Sequence, residues 1–260
     1  MYLMVWLGGT DHNLYGNRMN MGYIYNPKTK DSGVICAIPQ SGVCPVGCAD
    51  CFFQSGRSYL EPLDENLPNI PSEEDIGDCV VRINDGNDSA HEIDKVIACA
   101  KEWKHHFYNT SMGNRVSSLP GPVVLTVNPH KKTDHSFYRF PGDIPENLMF
   151  VRVRVNTWNL DLVRDAVEYY TESNIPVVLT FMAYYERNIP DDHRGSYVYR
   201  KRTQNSYWVL KPEKWWKIHD MFRDNPYVST CGHDPNSHAC HRCGVCVREY
   251  WHYYDKNRGA

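Results

Sequence analysis

The stretch GVICAIPQSGVCPVGCADC (residues 33–51) joins an apolar run to three closely spaced cysteines. The run GVICAIP (33–39) predicts a buried β-strand, because short apolar runs bounded by turn residues are typical of strands inside a parallel sheet. The loop after it carries Cys44, Cys48 and Cys51 in the spacing C-x3-C-x2-C. A disulfide needs two thiols and a structural zinc site needs four ligands, so three thiols on one loop match neither by themselves.

Apolar runs alternate with helical stretches along the rest of the chain, which indicates βα units and a parallel sheet. Further strands are expected at residues 78–85, 121–129, 147–156, 175–185 and 226–231, and helices at 88–106, 159–174 and 211–225. These six strands are fewer than the eight of a closed TIM barrel. The predicted fold class is therefore α/β, a partial (β/α)6 TIM-like barrel.

Two local features belong to the predicted helix at 88–106. Ser89 and Glu92 have the spacing of a capping box at its first turn. His105 and His106 would end the helix, where cations suit the negative end of the macrodipole.

Composition and targeting signals narrow the class of protein. The 260-residue chain has a formal net charge of −3, so a general attraction to nucleic acids or membranes is not expected. The N-terminus shows no signal-peptide pattern, and no run of about 18 apolar residues predicts a membrane helix. We therefore expect a cytoplasmic protein with reduced thiols, in which clustered cysteines are more often metal or cluster ligands than disulfides.

The three-cysteine loop resembles that of the radical S-adenosylmethionine (SAM) superfamily, whose members carry C-x3-C-x2-C after the first strand of a partial (β/α)6 barrel. The resemblance implies that Cys44, Cys48 and Cys51 bind three irons of a [4Fe–4S] cluster, a group that usually has four cysteine ligands, and that SAM binds the fourth iron. It also implies that an electron from a donor such as flavodoxin or ferredoxin cleaves SAM to a 5′-deoxyadenosyl radical, which takes a hydrogen atom from a substrate.

The sequence departs from the family at Asp50, because an aromatic residue usually precedes the third cysteine and here Phe52 and Phe53 follow it. The alternative for this loop is a zinc site completed by a distant cysteine or histidine, such as Cys36 or a C-terminal residue. Three cysteines in apolar surroundings are expected to be buried structural thiols: Cys36, Cys79 and Cys99.

The resemblance places the SAM amino group near RINDGNDSA (82–90), after the second strand, although the Gly-Gly-Glu common in the family is absent. Asn84, Asp85 and Gly86 could contact an ammonium group there, and Gly86 permits a turn with positive φ. An ordinary strand-to-helix turn is the alternative interpretation.

The strand at 147–156 carries Arg152, Arg154 and Asn156 in period-2 register, so all three face one side of the sheet. If that side is the barrel interior, a guanidinium suits the SAM carboxylate; if not, the arginines are solvated surface charges. The candidate cofactor-binding residues are Arg154 and Asn156 on this strand and Asn128 on the strand at 121–129. Others by location alone are Thr126, Thr180, Met182 and Tyr184.

A second cysteine group occupies CGHDPNSHACHRCGVC (231–246), with Cys231, Cys240, Cys243 and Cys246 in the spacing C-x8-C-x2-C-x2-C. Four thiols complete either a closed [4Fe–4S] cluster or a tetrahedral zinc site. The resemblance suggests an auxiliary cluster, which many radical SAM enzymes carry in a C-terminal extension. The predicted organisation is an N-terminal extension (1–32), a radical SAM partial barrel (33–230) and a metal-binding extension (231–260).

The only sequence hint about a substrate is the segment 194–217, in which lysines and arginines alternate with aromatic residues. Such a pattern suits phosphates and stacked bases, so a nucleotide or nucleic-acid base is the first candidate substrate and a peptide the second. The alternative is a helix with its tryptophans in the core and its lysines in water. A competing function is a non-catalytic, zinc-stabilised nucleic-acid-binding protein.

Overall fold

The computed structural model describes residues 22–48, 51, 53, 58–129, 138–201, 206–232, 234–236 and 240–258. Asp50, Phe52 and residues 1–21 of the predicted N-terminal extension lie outside the described residues. None of the described helices is long and apolar enough to cross a membrane.

Seven parallel strands form one sheet, arranged in the order in which they occur along the chain, and the sheet curls into a half-barrel. The strands of this sheet are β1 (Val34–Ala37), β2 (Val80–Ile83), β3 (His106–Thr110), β4 (Val123–Val127), β5 (Leu148–Val155), β6 (Val177–Phe181) and β9 (Val228–Thr230). Between β6 and β9, a separate antiparallel hairpin consists of β7 (Tyr197–Arg200) and β8 (Tyr207–Leu210). The α/β class is confirmed, and the half-barrel is compatible with the predicted partial TIM-like barrel, although its sheet has seven strands and not six.

The additional strand is β3, which corrects two predictions about the preceding helix. The helix α3 (Ile93–Ala100) ends before His105, and His106 begins β3, so neither histidine caps that helix. The predicted capping box is also wrong, because Glu92 is the N-cap without a side-chain bond and the Ser89 hydroxyl instead donates to Asn84 Oδ1 at 2.9 Å.

The convex face of the sheet is apolar and carries the three longer helices that connect its strands. These are α3, α4 (Leu160–Glu172) and α5 (Pro212–Asp220). Alternate strand residues such as Ile83, Leu125 and Val153 pack with Val163 of α4 and Ile218 of α5 in the main hydrophobic core. Two short helices, α1 (Leu63–Asn66) and α2 (Glu73–Ile76), lie in the connection between β1 and β2.

The concave face is covered at the amino ends of the strands by the C-terminal part of the chain. This part contains α6 (Cys240–Cys243) and α7 (Val245–Arg258). Val245 and Tyr250 of α7 pack against the first concave residue of five strands: Val80, Phe107, Val124, Phe150 and Val178. The predicted C-terminal extension therefore lies inside the half-barrel, where it forms part of the structure around the site.

Candidate active site in the half-barrel

A cavity of about 950 Å³ opens on the concave face beyond the apolar layer covered by α7. The period-2 alternation that places valines and phenylalanines under α7 places polar residues further along the same strands. Those that line the cavity include Arg82, Asn109, Thr126, Arg152 and Thr180. This position, at the carboxyl ends of parallel strands, is where sheets of this architecture usually hold their functional groups.

All seven cysteines of the two groups line this one cavity: Cys44, Cys48, Cys51, Cys231, Cys240, Cys243 and Cys246. The candidate SAM contacts Asn84, Asp85, Gly86, Asn128 and Arg154 line it as well. Asn156 is not among its lining residues, since its amide donates to the Tyr184 hydroxyl and accepts from the Trp158 N–H. Of the two orientations left open for Arg152 and Arg154, the structure has the interior one, because both side chains line the cavity.

The first cysteine group sits on the loop after β1 and is tied to the end of β3. The thiol of Cys48 lies 3.5 Å from the Ser111 hydroxyl, and that hydroxyl donates to Asp88 Oδ2 at 2.9 Å. Burial, together with the neighbouring Asp88, Cys48 and Cys51, raises the pKa of Cys44 to about 11, although a backbone hydrogen bond with Val46 opposes the rise. The thiols of the first group therefore lie close to one another and to the Asp88 carboxylate.

Asp88 is a buried carboxylate that sequence reasoning missed, although it stands in the stretch RINDGNDSA. It is 3% exposed and also accepts from the Thr110 hydroxyl at 2.7 Å, the Ala90 N–H at 2.9 Å and the Ser111 N–H at 2.7 Å. Four donors on one carboxylate hold the turns after β2 and β3 in one arrangement beneath the cysteine loop. The sequence signal that could have identified Asp88 is an acidic residue in the turn that follows a predicted strand.

The three candidates after β2 line the cavity, and each also has a contact within the protein. The Asn84 amide donates to Gln40 Oε1 at 2.7 Å, and its φ of 59° makes it, and not Gly86, a residue with left-handed backbone. Gly86 allows close contact with Phe53, since a Cβ at this position would lie 2.1 Å from that ring. Asp85 pairs with Arg82 at 3.6 Å.

Two arginines connect the sheet to thiol groups. Arg152 Nη2 lies 3.7 Å from Cys246 Sγ, and Arg82 Nη2 lies 3.1 Å from Cys36 Sγ. Cys36 is fully buried, as predicted, and burial raises the pKa of its thiol. The other two predicted structural thiols, Cys79 and Cys99, are partly buried against the main core.

The second cysteine group bridges the last and first strands of the half-barrel. The Cys231 N–H continues the β9 pairing by donating to the Leu179 carbonyl at 2.8 Å, and the Cys240 N–H donates to the Lys28 carbonyl at 2.8 Å. Cys243 lies between these ends, where its sulfur accepts from the Gly232 N–H at 3.4 Å. The described parts of this segment therefore connect the β9 edge of the sheet with the chain that precedes β1.

The electrostatic surroundings of the second group are cationic. A hydrogen bond with Cys243 and burial raise the pKa of Cys231, and Arg152 opposes this rise. Burial raises the pKa of Cys240, and Arg82 and Lys28 oppose it. Positive charges near these sulfurs favour their anionic form, which is the form that binds metals.

The donor chemistry of the cavity fits an iron–sulfur cluster, which takes thiolate ligands. Within the described part of the chain, no three His, Cys, Asp or Glu side chains converge closely enough to hold a single metal ion. The ligands of a cubane cluster bind separate irons, so they do not need to converge on one point as the ligands of zinc do. Three buried polar atoms lacking a hydrogen-bond partner among the described residues also belong to cavity-lining side chains: Arg82 Nε, Asn87 Nδ2 and Thr180 Oγ1.

The basic aromatic segment 194–217 is divided between core and surface, and its residues 202–205 lie outside the description. Trp215 is buried in the main core, as the alternative interpretation predicts, and Tyr197 of β7 is buried there as well. Arg194 pairs with Glu186 and Asp191, whereas Trp216 is exposed.

Comparison with known proteins adds no assignment. No protein-family model, curated protein or solved structure matches the chain. Function is therefore inferred from the residues and from the cavity in which they meet.

Proposed function

We propose that the protein is a radical SAM enzyme, with a [4Fe–4S] cluster on Cys44, Cys48 and Cys51 and SAM beside it in the cavity. The observation that carries this proposal is that both cysteine groups line one cavity at the carboxyl ends of a parallel half-barrel. When bound and reduced, the cluster supplies the electron that cleaves SAM to methionine and a 5′-deoxyadenosyl radical.

The charges around the first cysteine group suit SAM, which carries a sulfonium and an ammonium group. Asp88 lies near enough to Cys44 to raise the pKa of its thiol, so this end of the cavity holds a carboxylate. Negative charge favours a cationic ligand. On the facing strand β5, Arg154 presents a guanidinium to the cavity, and a guanidinium matches the geometry of the SAM carboxylate.

The size and walls of the cavity support a second molecule beside SAM. Its volume of about 950 Å³ lies at the upper end of the range for small-molecule sites. Tyr207, Leu210 and Trp215 supply an aromatic and apolar wall. This wall favours a nucleotide or nucleic-acid base as substrate, because bases stack on aromatic rings, with a peptide as the second class.

A second metal group and an electron donor complete the proposed enzyme. Cys231, Cys240, Cys243 and Cys246 hold an auxiliary [4Fe–4S] cluster, with zinc as the other group that four thiolates accept. An electron donor such as flavodoxin or ferredoxin reduces the first cluster, and the reduced thiols require a compartment such as the cytoplasm.

Anaerobic reconstitution with iron and sulfide, followed by reduction in the presence of SAM, tests the proposal. The expected result is a brown protein with about eight irons per chain if both groups hold clusters, or about four if the second holds zinc. This protein should form 5′-deoxyadenosine, whereas Cys44→Ala should not. The matched control is Cys99→Ala, which removes a thiol from the convex side and should leave both iron content and SAM cleavage unchanged.

Two results would overturn the proposal. A colourless protein that binds only zinc excludes the cluster, and salt-dependent nucleic-acid binding by such a protein would favour the competing function. Equal formation of 5′-deoxyadenosine by Cys44→Ala and the unchanged protein would show that the first group does not support the reaction.

A further inference from the structure

Arg152 is held in contact with the second cysteine group from several sides. Its Nη2 lies 3.7 Å from Cys246 Sγ, and its Nη1 lies 3.4 Å from Asn109 Oδ1. The guanidinium carbon lies 5.8 Å from the centre of the Phe150 ring, within the range of a cation–π contact. The side chain is thus directed at a sulfur by its own strand and by β3.

The charge of Arg152 has no carboxylate partner among the ion pairs of the described residues, in contrast to Arg82, which pairs with Asp85. A partly buried cation is costly without an anionic neighbour. The nearest sulfur is that of Cys246, which Arg152 Nη2 contacts, and a cluster bound through the thiolates of this group supplies the negative charge.

Arg82 adds a second cation on the other side of the same group. Burial opposes the charge of Arg82, but Cys36 and Asp85, and then Cys240 and Cys246, raise its pKa above the ordinary value. Its Nε has no partner among the described residues. Two guanidinium groups from β2 and β5 therefore flank the second cysteine group.

We propose that Arg152, supported by Arg82, is a positioning residue that raises the reduction potential of an iron–sulfur cluster held by Cys231, Cys240, Cys243 and Cys246. The inference rests on the proposed function, because it requires a cluster at this group. On reduction the cluster takes one electron from the reductant and becomes one unit more negative. A fixed cation and a donor to a ligand sulfur both stabilise the reduced state, so the potential rises.

The test isolates the second cluster in a full-length chain carrying Cys44→Ala, Cys48→Ala and Cys51→Ala. After anaerobic reconstitution, iron and sulfide are counted and the midpoint potential is measured by redox titration followed by electron paramagnetic resonance. Arg152→Gln, which keeps a donor but removes the charge, should lower the midpoint potential. Arg152→Lys, which keeps the charge but loses the planar fork, should lower it by less.

The matched control is Arg164→Gln, which removes the same charge from an exposed position on α4 where Arg164 pairs with Asp161. It should leave the midpoint potential unchanged. If Arg152→Gln fails to retain iron, the comparison of Arg152→Lys with the parent chain decides, and a lower potential in the lysine variant supports the inference.

Equal midpoint potentials in the parent, glutamine and lysine chains would overturn the inference, as would a triple-cysteine variant that takes up only zinc. Both outcomes are separable from failure of the proposed function. That failure appears as absent 5′-deoxyadenosine in the unchanged protein, which the titration of the second group does not use.

Discussion

The two cysteine groups share one cavity but have opposite electrostatic surroundings. The first group lies beside the Asp88 carboxylate, whereas the second group lies between Arg82 and Arg152. Thiols therefore have a carboxylate as a neighbour at one end of the cavity, the negative end, and guanidinium groups at the other, the positive end. The negative end suits a cationic cofactor, and the positive end suits a closed, anionic set of four thiolates.

The groups also differ in how the fold holds them. Backbone hydrogen bonds to β6 and to Lys28 fix the second group, and α7 continues it into the apolar layer of the concave face. Among the described residues, the contacts that support the first group include the Ser111–Asp88 bond beneath Cys48 and the contact of Phe53 with Gly86. Single substitutions should therefore separate the two groups.

Asp88→Ala should have the largest effect, because it removes the acceptor for the Thr110 and Ser111 hydroxyls and for two backbone N–H groups. We expect a loss of about 3–5 kcal/mol in the free energy of unfolding, since each buried donor left without a partner costs about 1–3 kcal/mol. Urea denaturation of the metal-free protein measures this loss.

Asp88→Asn keeps one acceptor oxygen and should lose less stability than Asp88→Ala. The control is Asp78→Ala, an exposed position whose replacement should change the free energy of unfolding by no more than about 0.5 kcal/mol. An Asp88→Ala protein as stable as this control would show that the carboxylate does not support the first group.

Asp88 was not predicted from the sequence, although most of the sheet around it was. The apolar runs predicted six of the seven parallel strands because valine and isoleucine dominate segments such as VVRI and VVLTF. Strand β3, with the sequence HFYNT, was missed since it has no run of aliphatic residues and follows α3 after only five residues, 101–105. Periodicity alone assigned His106, and His105 just before the strand, to the helix.

The meeting of the two cysteine groups could not be predicted either. Their spacing identified each as a candidate ligand set, but nearly two hundred residues separate Cys44 from Cys240. Only the path of the chain from β9 across to Lys28 brings them to one cavity. The opposite charges at the two ends come from strand residues whose orientation depends on which face of the sheet is concave.

Gly86→Ala should have the next largest effect and should act on the first group alone. Its Cβ would lie 2.1 Å from the Phe53 ring, so the ring and the loop that carries Cys51 must move. We expect a loss of about 1–3 kcal/mol in the free energy of unfolding, as for other overpacked sites. Iron bound after reconstitution should fall at the first group and stay unchanged at the second.

Adding Phe53→Ala to Gly86→Ala should relieve the clash and recover part of the lost stability, which a double-mutant cycle measures. Gly142→Ala is the control, because nothing lies within 4 Å of a Cβ at that position. If Gly86→Ala lowered iron at both groups equally, the two groups would not be held independently.

Thr180→Val should have the smallest effect on the free energy of unfolding, and the direction of the change is what tests the prediction. Thr180 Oγ1 is buried and without a hydrogen-bond partner among the described residues, so replacing the hydroxyl by a methyl group should raise the free energy of unfolding by about 0.5–1 kcal/mol in the metal-free protein. Thr171→Val is the matched control, because the Thr171 hydroxyl accepts from Asn225 Nδ2 at 3.2 Å and its loss should lower stability. Urea denaturation of both variants gives the two signs. A Thr180→Val protein that is less stable than the unchanged one would mean that the hydroxyl is satisfied within the protein.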